Sequence, residues 1–206
     1  MFLEIKKCPL PQSYETMDDV DVFKTLGKGL FYAQEQILAH RLRLKRKGMI
    51  ELYDEQGQHL TDYKTNGKRV FSVSICMPEY DFFTERQMVE RILDVGRTGT
   101  FHAYDENRES SLNGLNGRLE RIRKLMVQLN DEKQVEHRAF FNSLFFSLQQ
   151  IWMILCFSDG IEDFLGICST LACVTHGTGD VYAEIREAVR LKQMRHKMNG
   201  YQLIET

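Results

Sequence analysis

The apolar positions of the chain fall first into a helical period. Between about Asp18 and Lys47, Phe23, Leu26, Leu30, Ala33, Ile37 and Leu44 recur at steps of three or four, with one step of seven across His40 and Arg41. That spacing predicts a long amphipathic helix, with Gly48 as its stop. Gly27 and Gly29 bracket Lys28 near its start, and two glycines so close disfavour helix by about 2 kcal/mol, so regular helix is expected only from near Leu30.

The period then changes. MIELYDEQGQHLTDY carries a turn signal at Glu55 to Gln58, and KTNGKRVFSVSIC places an Asn66-Gly67 turn before the alternating Phe71, Val73 and Ile75. Both predict strands of an antiparallel β-meander, to which Phe2 to Ile5 adds an edge strand ended by Pro9 and Pro11. Beyond Pro78 the pattern is helical again, with Thr84 as N-cap, Met88, Val89, Ile92 and Leu93 as the apolar stripe, and Gly96 as C-cap. A short strand is expected at Thr100 to Tyr104, then helices over Leu115 to Leu129, from Asn130 or Asp131 through Phe157, over Ile161 to Thr175, and over Asp180 to Met198. The order predicts an α+β fold: an N-terminal long helix and small antiparallel β-meander, followed by a predominantly helical C-terminal half. Residues 1–110 form the expected mixed α/β region and residues 111–206 the helical bundle region, as two units or as one cooperative domain.

The run from Ala139 to Ser158, AFFNSLFFSLQQIWMILCFS, is uncharged and long enough to span a bilayer. Turned as a helix, it places Asn142, Ser143, Ser147, Gln149 and Gln150 on one side and Phe141, Leu144, Phe145, Leu148, Ile151, Trp152 and Leu155 on the other. Lipid all round would bury two glutamine amides at several kcal/mol each, so the expectation is a protein-covered helix with Trp152 in the core and no membrane span.

With 43% hydrophobic and 27% charged residues the composition is that of a globular protein, and a net charge of -2 argues against coating nucleic acid or anionic lipid over the whole surface. The cysteines, Cys8, Cys76, Cys156, Cys168 and Cys173, are odd in number; the last three lie in apolar runs, where burial as free thiols in a reduced cytoplasm is expected. MFLEIKKCPL has no basic region followed by an apolar block, so no secretory signal is expected.

Positive charge is local. His40, Arg41, Arg43, Lys45, Arg46 and Lys47 form one cluster, Arg118, Arg121, Arg123 and Lys124 a second, and Arg186, Arg190, Lys192, Arg195, His196 and Lys197 a third. Such clusters either neutralise phosphates or complement the negative ends of helices. The spacing from Phe83 to Thr98 and from Ser111 to Ile122 imitates a helix-turn-helix, with Asn116, Arg118, Arg121 and Lys124 facing a major groove. Against it stand the turn dipeptides Asn113-Gly114 and Asn116-Gly117 and the apolar-poor TFHAYDEN.

Catalytic signals are sparse. No pair of histidines has the spacing of a helical metal site, Cys168 and Cys173 are five apart, and Gly27-Lys28-Gly29 lacks the rest of a phosphate loop. Glu132, Glu136 and His137 have no matching Glu-x-x-His segment for a di-metal site, and Thr175 to Asp180 reads as a glycine-rich connection with Asp180 as N-cap. No metal or cofactor is expected. The spacing of Arg190 and His196 resembles the Arg-x(4–6)-His of the helical ribonucleases called HEPN, which implies RNA cleavage. Leu191 replaces the usual polar residue, and in the frame of Arg195 and His196 the closing histidine is Gly200.

The leading expectation is a non-enzymatic soluble protein acting through another protein, as an adaptor, chaperone or regulatory subunit in a homo- or hetero-oligomer. It rests on 13 Phe and 9 Met, residues that fill adaptable interfaces as readily as cores. The alternative is a DNA- or RNA-binding regulator using Arg41, Arg43, Arg46, Lys47, Arg118, Arg121 and Lys124.

Overall fold

The computed structural model describes residues 2–6, 19–64, 72–77, 79–130, 140, 143–173 and 177–202. The fold is α+β and mostly helical, with a long N-terminal helix and a small two-stranded antiparallel sheet. Helix runs without interruption from Asp19 to Lys47, as α1 (Asp19–Leu26), a π-wound segment (Gly27–Phe31) and α2 (Tyr32–Lys47). The two glycines do not delay the helix. A Cβ on Gly27 would lie 2.6 Å from Leu115 Cδ1, and one on Gly29 would lie 3.5 Å from Phe145. Gly27 therefore lets Leu115 approach the backbone where a side chain would clash, whereas at Gly29 a Cβ would make only ordinary contact. Gly48 ends α2 at φ 69°, its N–H donating to Leu44 O at 2.8 Å.

β2 (Ile50–Tyr53) and β3 (His59–Tyr63) form an antiparallel hairpin. Its turn is fixed by Asp54, whose Oδ1 accepts from the Gln56 and Gln58 N–H groups at 3.0 and 2.7 Å, with Gly57 at φ 79°. The third strand of the expected meander pairs elsewhere. β4 (Ser72–Cys76) is the middle of a parallel sheet, between β1 (Phe2–Lys6) and β5 (Ser143–Ser147). Val73 aligns with Leu3 on one side and Leu144 on the other. The Asn66-Gly67 turn, Phe71, Pro9 and Pro11 lie outside the described residues.

β5 overturns the expectation of one helix through Phe157. Ser-Leu-Phe-Phe-Ser is buried at every position, because the sheet is covered on both faces, and such a strand shows no alternation to tell it from helix. Phe145 faces a core formed with Leu30, Tyr80 and Phe31, while Val73, Ile75, Leu144 and Phe146 face a second core built with Ile154, Phe164, Ile167 and Ile185. Gln34 crosses from α2 to the sheet, donating to Ser74 Oγ at 3.2 Å and accepting from Ser143 Oγ at 3.3 Å, so its buried amide is satisfied.

The remaining helices are α3 (Arg86–Thr98), α4 (Asn113–Asn130), α5 (Leu148–Cys156), α6 (Ile161–Cys173) and α7 (Val181–Gln202). Three local expectations are corrected. Glu85, not Thr84, caps α3, accepting from the Gln87 and Met88 N–H groups at 3.1 and 3.0 Å, while buried Thr84 takes a bond from Gln150. Gly96 lies inside α3, where a Cβ would sit 2.7 Å from Phe31 and 2.9 Å from Leu119; Gly99 is the C-cap. Residues 100–104 form no strand, because the Asn116 amide satisfies both the N–H and the C=O of Phe101, at 2.9 and 2.8 Å. Asp180 caps α7 as expected, accepting from Tyr182 N at 2.8 Å.

Candidate functional site

The structure brings two of the three basic clusters together. α2 and α4 pack side by side and run parallel: Glu35 near the start of α2 meets Arg118 and Arg121 in the first half of α4, and Arg46 near its end meets Gln128. The seam is partly neutralised. Arg118 donates to Glu35 Oε2 at 2.8 Å while its guanidinium lies 4.1 Å above the Tyr32 ring. Arg121 donates to Glu35 Oε1 at 2.6 Å, and this bond, ahead of any burial effect, holds its guanidinium above the ordinary arginine pKa. Lys45 donates to the Leu129 carbonyl near the end of α4, and Arg123 to the Gly96 and Gly99 carbonyls at the end of α3, so both satisfy helix C-termini. Arg43, Lys47 and Lys124 are exposed, and Arg41 is half-buried.

The groove-facing role expected of Asn116 is closed to it, since its amide is committed to Phe101. Leu115, Leu119, Ile122 and Met126 of α4 are buried in the first core. Arg190 is exposed and donates to Glu187 at 2.8 Å, while the side chain of His196 lies outside the described residues. So do Glu132, Glu136, His137 and His176. No group of three His, Cys, Asp or Glu among the described residues is placed to hold a metal.

The second surface was not legible in the sequence. Ser147 starts α5 with a capping box: its Oγ accepts from Gln150 N at 3.2 Å, and Gln150 Oε1 accepts from Ser147 N at 2.9 Å. The box fixes the phase of the helix. Gln150, Ile151 and Ile154 turn inward, and Leu148, Trp152 and Leu155 turn out, at 47%, 68% and 48% exposure. Trp152 is therefore a surface residue and not a core one. Phe157 at the end of α5 and Ile161 at the start of α6 are also partly in water, at 46% and 65% exposure. From Ala139 to Ile185 the chain has no Lys or Arg but five carboxylates, Asp159, Glu162, Asp163, Asp180 and Glu184. Of these, Asp163 pairs with Lys192, Asp180 caps α7 and pairs with Arg186, and Glu184 is buried, while Asp159 and Glu162, which follow α5 in the chain, are exposed.

The cysteines divide. Cys76 and Cys168 are buried, and burial pushes the Cys168 thiol up to about 12. Cys156 and Cys173, expected inside, are exposed because α5 and α6 turn them outward at their last residues. No helix among the described residues is long and apolar enough to cross a membrane. No protein-family model matches the chain, and neither a curated protein nor a solved structure matches it at significance.

Proposed function

We propose that the protein works without catalysis, by binding another protein through the exposed face of α5. The observation that carries this is the outward row Leu148, Trp152 and Leu155, spaced as the anchors of a helix that packs into a groove or receives one. A tryptophan with 68% of its surface in water, between two half-exposed leucines, is a hot-spot composition and not that of an ordinary solvated helix. The exposed carboxylates of Asp159 and Glu162, which follow α5, favour a partner whose apolar segment is flanked by Lys or Arg. An adaptor, chaperone or regulatory subunit of the reducing cytoplasm fits this surface, and the exposed thiols of Cys156 and Cys173 suit that compartment.

The test is selection of a random-peptide library on the full chain. Apolar peptides carrying Lys or Arg are expected, and Trp152→Glu, which leaves the core untouched, should abolish their recovery. Peptides recovered equally by Trp152→Glu overturn the proposal. A dimer in sedimentation that Trp152→Glu dissolves would assign the face to a second copy, and vesicle binding lost in that variant would assign it to lipid.

A second reading, a DNA- or RNA-binding regulator, is favoured by the convergence of the first two basic clusters on the α2/α4 seam. It requires affinity for nucleic acid that falls steeply with salt and is lost when Arg43, Arg46 and Lys47 are reversed.

A further inference from the structure

A cleft of about 170 Å³ opens between the end of α1, the π-wound segment and the start of α4. Its lining includes Lys24, Lys28, Ser111, Gly114 and Arg118, over a floor where Gly27 meets Leu115. The lining holds three cations and a hydroxyl, and none of its residues is a carboxylate.

The cations are under-compensated. Lys24 shares Asp21 with Arg108, each at 3.4 Å, and Arg118 shares Glu35 with Arg121. Lys28, exposed in the lining, has no ion-pair partner among the described residues. Arg118 spends one Nη on Glu35 and keeps the rest of its donor fork, anchored by stacking on Tyr32. The shape is equally specific. Gly27 has no Cβ, which lets Leu115 close the floor, and a Cβ on Gly114, itself in the lining, would meet nothing within 4 Å, so a side chain is accommodated there. The π winding alongside is a feature that concentrates at functional sites, because an extra residue per turn displaces the backbone from regular helix.

We propose that this cleft binds a phosphate group. A doubly charged tetrahedral anion matches the excess of positive charge, the guanidinium fork and the serine hydroxyl better than a carboxylate does. The site stands on the cleft and its cations alone and does not depend on the α5 face. The phosphate belongs either to a small phosphorylated compound or to a nucleic-acid chain, and the two sources separate by experiment.

The full-length protein is titrated with inorganic phosphate at constant ionic strength, following thermal unfolding and the phosphorus-31 resonance. Saturable binding is expected in the wild type. It should be lost in Gly114→Glu, which adds a carboxylate to the lining without a clash, and weakened at least about tenfold in Lys28→Ala. Lys64→Ala, an exposed cation outside the cleft and outside the basic clusters, should bind as the wild type does. Competition by an oligonucleotide with a 5′-phosphate, but not by the same strand without it, assigns the site to a nucleic-acid end. Competition by both, lost in Gly114→Glu, assigns it to backbone phosphate, and competition by neither assigns it to a small phosphorylated compound. Should Gly114→Glu fail to fold, Lys28→Ala against Lys64→Ala decides. Absence of saturable binding, or equal binding by wild type and Lys28→Ala, overturns the proposal.

Discussion

The two sides of the β1-β4-β5 sheet solve opposite problems. On one side, α2 and α4 are rich in cations, and much of that charge is answered within the chain: Glu35 holds Arg118 and Arg121, and the ends of α3 and α4 take Arg123 and Lys45. On the other side, α5 carries no formal charge and leaves its largest side chain in water. The difference lies in what each kind of group can find at home. A charge in water is already solvated, so an exposed cation costs little and says little. An apolar row gains free energy only when something covers it, so an uncovered one is the stronger pointer to a partner.

The largest contrast is expected between truncations of two aromatics, Phe145 and Trp152, that the helical pattern of the sequence places on one side. Phe145→Ala empties a site 1% exposed, beside Tyr80 at 5.8 Å between ring centroids, and should cost about 3–5 kcal/mol in urea denaturation. Trp152→Ala should change stability by no more than about 0.5 kcal/mol, and the emission of wild-type Trp152 should be that of a hydrated indole. A large loss in Trp152→Ala, or blue-shifted emission from the monomer, would put α5 back in the core.

Smaller effects sharpen each side separately. Gly96→Ala forces a Cβ against Phe31 and Leu119 and should cost about 1–3 kcal/mol, read by the same denaturation. Ser147→Ala removes the capping box that sets the phase of α5, with an expected loss of about 1 kcal/mol. On the basic side, Glu35→Gln should cost only about 0.2–1 kcal/mol, shrinking in high salt.

The thiols give the finest contrast. Cys156 and Cys173 should react with a thiol reagent at once in the native protein, and Cys168 only on unfolding. With its thiol pushed by burial from the ordinary 9.0 up to about 12 in the fold, Cys168 binds more proton folded than unfolded in that window. Its contribution is therefore intact below about 9 and fades as pH rises towards 12. Cys168→Ala should flatten the alkaline limb of the stability curve.

Neighbouring residues settle some features among themselves. The 3.6-residue stripe from Phe23 to Leu44, the Gly48 stop, the turn at Glu55 to Gln58 and the Asp180 cap depend on local spacing and on bonds spanning a few residues. Other features depend on partners far along the chain and are set only by packing. Leu144, Phe145 and Phe146 are strand because β4 lies beside them, although their run fits a helix as well. Gly27 and Gly96 serve close packing against Leu115, Phe31 and Leu119, which no local pattern announces. Once β5 ends at Ser147, the helix phase restarts from its cap, and Trp152 comes out facing water. The basic clusters of α2 and α4, about eighty residues apart, meet only because the two helices pack parallel. Hydrophobic pattern records which residues gain from burial. What covers them, and which way a helix turns after a strand, is fixed by the three-dimensional arrangement of the chain.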